Sequence, residues 1–202
     1  MNRTTLVATC AVAALLPGCI TIGGRDDAAP SDAFHVVDAG ASSSVVRSAA
    51  APLVVEVRAV RAADRFDRHV LRLDAPGRVT PLEHDFWADE PSKSASDAIR
   101  ESLAESRRFA SVVDPGHPSD VVLDGTLREF GWAPGSPSRA VVRLRLTWSD
   151  ARTGRVFQSR VHDASEPLPG DGTDGIGPAM ARAIERAVSE SAASAAAAFP
   201  PR

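Results

Sequence analysis

Arg139-Ala140-Val141-Val142-Arg143-Leu144-Arg145-Leu146-Thr147-Trp148 alternates more cleanly than any other stretch of this 202-residue chain. Val142, Leu144, Leu146 and Trp148 fall on one side, and Val141, Arg143, Arg145 and Thr147 on the other. A period of two with one apolar side marks a strand that covers a core with one face and meets water with the other. Asp150-Ala151-Arg152-Thr153-Gly154 supplies turn residues and Val156 to Val161 returns, so the segment predicts a hairpin.

Working outward, Ser119 to Phe130 carries Val121, Leu123 and Leu127 on one side and predicts a further strand. Beyond the hairpin, a Pro/Gly-rich loop from Pro167 to Gly175 leads to a helix with Ile176, Met180, Ile184 and Val188 at four-residue intervals, stopped by Pro200-Pro201. Upstream, Ala95, Ile99 and Leu103 define a second helix. Ser92 or Ser94 is expected to cap it, with Asp97 in its first turn and its end near Arg107-Arg108. Leu53, Val55 and Val57 alternate as a strand, His69 to Leu73 reads as another, and Arg78 to Leu82 is a weaker third because of Pro81. Strands, helix, strands, helix predict an α+β domain over residues 52–199. The expected form is a two-layer sandwich with a mainly antiparallel sheet and two helices packed on one face.

The first 18 residues read as a secretion signal: Arg3, then an apolar run from Leu6 to Leu16 that is too short to span a bilayer. Leu16-Pro17-Gly18-Cys19 resembles a bacterial lipobox, which implies a diacylglycerol thioether on Cys19 and an acylated amino group after cleavage. Cys10 lies inside the apolar run and is rejected as the lipidation site. Ile20, and not aspartate, follows Cys19, and by analogy with lipoprotein sorting this places the chain on the periplasmic face of the outer membrane. Residues 19–51 are Ala/Ser-rich and read as a tether, with a short strand expected at 34–38.

Composition excludes several classes of function. Losing Arg3 with the signal leaves 22 basic against 26 acidic side chains, intermixed along the chain, so nothing invites nucleic acid. Both cysteines lie at or before position 19, so no disulfide is expected beyond it. His35, His69, His84, His117 and His162 are scattered without metal-ligand spacing. Gly170 to Gly175 has the glycine spacing of a dinucleotide turn, but Pro167, Pro169, Asp171 and Asp174 and the lack of a following strand argue for a loop. His84-Asp85 beside Glu83 is the nearest approach to an acid/base pair, and no nucleophile elbow is present. No catalytic residue, cofactor or metal is expected. Arg143 and Arg145, with Arg155 and Arg160 on the return strand, form either a solvated sheet face or a basic surface for an acidic partner or lipid headgroups.

Phe86-Trp87-Ala88-Asp89-Glu90-Pro91 is similar to the Arg-Trp-Ala-Glu-Pro signature of the ABC-type transport auxiliary lipoproteins, the PqiC-like group. Phe66 to Arg72 resembles that family's Tyr-Leu-Asp-Arg stretch, and Phe34 to Asp38 its aromatic-start segment. Phe86 stands in place of the signature arginine, Phe66 in place of the usual tyrosine, and Asp89-Glu90 at the acidic position. The resemblance implies a non-catalytic subunit that docks a periplasmic MCE-type protein at the outer membrane as a homo-oligomeric ring. Through that protein it would serve an ABC permease and ATPase moving lipid or other hydrophobic cargo. Phe86, Trp87, Glu90 and Pro91 are its signature positions, although a tryptophan before a helix is more often a core plug than a contact. Two other readings use the same anchor: a structural or chaperone-like lipoprotein that binds an outer-membrane β-barrel, and a periplasmic enzyme, which would need a pocket of converging polar groups.

Overall fold

A computed structural model describes residues 31–38, 51–75 and 78–198, all within one compact unit, Ser31–Arg202. Cys19 and the signal segment lie outside the described residues. Among the described residues, eight strands and two helices follow in the order β1 (Ala33–His35), β2 (Ala51–Val57), β3 (His69–Ala75), β4 (Arg78–Trp87), α1 (Pro91–Ser106), β5 (Phe109–Val113), β6 (Val121–Ala133), β7 (Arg139–Asp150), β8 (Val156–Pro167) and α2 (Ile176–Ala198).

The hairpin anticipated from the alternation is β7–β8, paired antiparallel from Arg139↔Pro167 to Ser149↔Val156. On its inner side Ala140, Val142, Leu144, Leu146 and Trp148 are completely buried. Helix α2 touches both strands of the hairpin and also α1. Its buried stripe is Ile176, Met180, Ile184 and Val188, and Ala179, Ala183, Ala187 and Ala192 are buried with it. Trp148 Nε1 donates to Ser191 Oγ at 2.8 Å, which gives the buried indole N–H a partner inside the helix contact.

The fold is α+β, but its sheet is mixed and not mainly antiparallel. The strand order is β1-β4-β3-β6-β2-β5, with β7 joined to the other side of β6 and β8 to β7. Strand β6 makes this possible through its length. Its first residues pair parallel with β2 (Val55↔Val121 to Val57↔Leu123), its last with β3 (Leu71↔Gly131, Arg72↔Trp132), and its far side runs antiparallel to β7. The chain leaving β2 keeps following β6, with Arg61 N donating to Gly125 O and Leu127 N to Arg61 O. The β1–β4 and β2–β5 pairs are also parallel. Helix α1 touches β2, β5 and β6.

Three local readings change. Helix α1 begins at Pro91, with Glu90 as a side-chain-free cap, so neither Ser92 nor Ser94 caps it and Asp97 lies past the first turn. Proline suits that first position because its missing N–H would have had no helical partner there. The helix ends at Ser106 on a left-handed Arg107 (φ 49°), and β5 follows almost at once. Strand β4 does not stop at Leu82 but runs on to Trp87.

Candidate functional site

The signature stretch links the end of β4 to the start of α1, and its side chains face in opposite directions. Trp87 is 1% exposed, its ring set edge-on to Phe130 at 4.8 Å and near His35 at 6.2 Å. Its Nε1 is buried with no hydrogen-bond partner. Trp87 is therefore a core side chain. Pro91 is buried at the helix start, Glu90 is exposed, and Phe86 is half-buried on the opposite side of β4 from Trp87.

The Phe66–Arg72 stretch closes on this signature. Trp87 N donates to Arg68 O at 2.6 Å, while the Arg68 guanidinium donates from Nε to Trp87 O at 3.3 Å and from Nη2 to Ala88 O at 2.5 Å. One arginine thus holds both carbonyls of the turn from strand to helix, a fixed donor fork that lysine does not offer. The Asp67 carboxylate accepts from His69 N at 2.9 Å, and the His69 ring lies 4.7 Å from Phe86.

From the other side comes β1. Phe34, His35 and Ala33 sit opposite Phe86, Trp87 and Asp85. The Phe34 and Phe86 rings stack at 5.6 Å, and Ala88 N donates to His35 O at 2.8 Å. Asp85 Oδ1 accepts from the His35 ring at 2.9 Å and from Thr173 Oγ1 at 2.7 Å, joining β1, β4 and the loop before α2. His84 faces Asp32 at 3.1 Å. His84 and Asp85 thus point to separate partners and do not form one acid/base pair. Among the described residues no group of three or more His, Cys, Asp or Glu side chains could hold a metal.

Arg143, Arg145 and Arg160 do not share a face. Arg145 lies opposite Val161 and Thr126, and Arg143 opposite Asp163 and Glu129. Arg160 lies opposite the buried Leu146, on the other side of the sheet. The Arg143 guanidinium is bonded to Asp163 and, at 3.1 Å, to Glu129. Those bonds, that to Asp163 foremost, raise its pKa above the ordinary arginine value. Nearby, Arg58 meets Glu56 at 2.9 Å and Asp124 at 3.8 Å. This face carries four guanidiniums (Arg58, Arg139, Arg143 and Arg145) against four carboxylates (Glu56, Asp124, Glu129 and Asp163), so it is polar and balanced.

Sequence reading missed the Arg68 clamp, the Asp85–Thr173 link and the close seat of Gly177, where a Cβ would come 1.9 Å from Val36 O. Arg68 stood inside a quoted stretch, but nothing in its spacing reveals partners 19 and 20 residues away.

Residues 36–195 match the family described as the ABC-type transport auxiliary lipoprotein component. No curated protein sequence matches the chain. Among solved structures, a DUF330 protein from Xanthomonas campestris is similar at 20% identity, covering 76% of this chain and 91% of its own, with a TM-score of 0.65. An uncharacterized protein is similar at 13% identity, covering 83% and 98%, with a TM-score of 0.59. A hypothetical protein from Chlamydia trachomatis follows at 14% identity, covering 73% and 98%, with a TM-score of 0.52. At these identities the likeness is one of fold.

Proposed function

This chain belongs to the ABC-type transport auxiliary lipoprotein family, and on that premise we propose that it is a non-catalytic docking subunit of a transporter spanning the envelope. Cys19 carries the diacylglycerol and acyl groups and anchors the protein to the periplasmic face of the outer membrane. Two or more acyl chains hold a protein stably where a single one does not. The partner is a periplasmic MCE-type protein, behind which stand the ABC permease and ATPase. Cargo is phospholipid or another hydrophobic molecule, and the docking unit is a ring of copies. The observation that carries this reading is the family match over residues 36–195, which begins just after β1 and takes in the signature, β2 to β8 and both helices up to residue 195.

The signature itself supports a structural part in that role. Trp87 and Arg68 close the strand-to-helix turn, so recognition falls to exposed surfaces, of which the solvent face of β6–β8 is one candidate. The test is affinity capture of the tagged, lipidated protein from solubilised envelopes. Recovery of an MCE-type protein, reduced by Arg145→Glu with unfolding unchanged, is the expected result. Recovery of an outer-membrane barrel alone would replace this reading with that of an assembly lipoprotein, and recovery of neither would end it.

A further inference from the structure

Phe34 and Val36 are 62% and 60% exposed, the most exposed large apolar side chains among the described residues. Two residues apart, they lie on the same side of the chain, away from His35. Phe34 is not a loose side chain: it stacks on Phe86, which in turn contacts His69, so the aromatic surface is braced across β1, β4 and β3. The inward positions are taken by His35 and Trp87, and the Val36 carbonyl is seated against Gly177, so neither apolar side chain can turn into the core without unseating the strand. Strand β1 also ends the sheet order, with no neighbour on its outer side among the described residues.

We propose that this patch rests on the membrane, as a second contact beside the lipid, and that the surface it takes is zwitterionic phospholipid. The inference rests on the Cys19 anchor proposed above. Ser31 is the twelfth residue after Cys19, which limits their separation to at most about 43 Å even when fully extended. Phe34 and Val36 are the first large exposed apolar groups beyond that point, whereas Val79, Val156 and Val161 lie much further along the chain. Charge selects the headgroup. Between Cys19 and Asp38 the chain carries Arg25 against Asp26, Asp27, Asp32 and Asp38. Membrane binding of an apolar patch is strengthened by basic residues where lipids are anionic. An acidic stretch of chain between the anchor and the patch does the reverse, leaving zwitterionic headgroups as the compatible surface.

The test uses mature lipidated protein on phosphatidylcholine–phosphatidylethanolamine vesicles containing a lipid with a photoactivatable acyl chain. Trypsin cleaves after Arg25 and Arg47, so residues 26–47 form one peptide, separate from the lipidated Cys19. Label is expected in that peptide at Phe34 and Val36. It is lost in the Phe34→Ser/Val36→Ser double variant, which still floats with the vesicles and unfolds at the wild-type temperature, and it falls when anionic lipid is added. Floating protein with no label in residues 26–47 would overturn the contact. Cross-links between two copies through this peptide, in place of lipid label, would make a second copy the occupant. Label unchanged or increased on anionic vesicles would overturn the headgroup selection. Protein that fails to float at all would bring down the anchor reading, and this inference with it.

Discussion

Replacing Gly177 by alanine sets two effects of opposite sign against each other, and the structure decides which prevails. Gly177 is the second residue of α2, and glycine within a helix is disfavoured relative to alanine by up to about 1 kcal/mol. Propensity alone therefore predicts stabilisation. The added Cβ, however, would lie 1.9 Å from Val36 O and 2.9 Å from Val36 C. To reach even 3.0 Å, the β1 segment must retreat by 1.1 Å. The obstacle is backbone, so the retreat carries neighbouring residues with it. It stretches the Ala88 N to His35 O bond of 2.8 Å and the His35–Asp85 bond of 2.9 Å beyond hydrogen-bonding range. Each lost bond costs about 0.5–1.5 kcal/mol, so the loss outweighs the helical gain and leaves a net destabilisation of about 1 kcal/mol. Urea unfolding measures the total, and amide exchange at Ala88 measures the local release. A Gly177→Ala protein that is more stable than wild type, with Ala88 still protected, would refute the reasoning.

Further outcomes follow from other contacts. Trp87→Ala should cost about 3–5 kcal/mol in chemical unfolding, as expected for a fully buried aromatic. Trp87→Phe should cost far less, because it also removes a buried N–H that has no partner. Ser191→Ala takes the hydroxyl acceptor from Trp148 Nε1 and should cost about 1–3 kcal/mol by the same measurement, with the Trp148 emission shifted. The Asp150 carboxyl is held below the usual aspartate value, first by the Thr153 backbone N–H and then by its hydroxyl. Its contribution is therefore fully present above the unfolded value of about 3.9 and is lost as pH falls through the lower folded one. Exchange of the Arg152 and Thr153 amides should accordingly be unchanged between neutral pH and pH 5, once corrected for intrinsic rates. It should accelerate only in stronger acid, and Asp150→Ala should remove that dependence.

The two helical stripes and the β7–β8 hairpin were legible because they are local patterns: Ile176, Met180, Ile184 and Val188 declare one face, and Val142 to Trp148 another. The parallel pairings were not legible. Nothing near Val55 announces Val121, and nothing near Leu71 announces Gly131, because those contacts are set by the length of β6 and by which strands can lie end to end along it. A chain read in order naturally becomes a series of hairpins, so the sheet was expected to be mainly antiparallel. The short β5 strand was missed because its five residues follow directly on a left-handed helix end and pair with a strand more than fifty residues earlier. At the candidate site, the Trp87 side chain is buried in the core, and Arg68 could be recognised only once its carbonyl partners were in place.

That division between core and surface bears on how the docking role must be sought. A signature can be diagnostic of a family because the fold requires it, and here Trp87, Pro91 and Arg68 together set the angle at which β4 gives way to α1. Substitutions there lower the amount of folded protein, and weaker capture of any partner follows whether or not the signature touches that partner. Residues whose loss reports recognition must combine exposure with structural independence. Arg145 fits, since it lies opposite Thr126 and the exposed Val161 while the neighbouring Arg143 is already matched by Glu129 and Asp163. With carboxylates as numerous as guanidiniums on that face, long-range steering by charge is small. A partner held there should be held mainly by shape and by short-range polar contacts, and its capture should survive salt that would strip a binder from a basic patch.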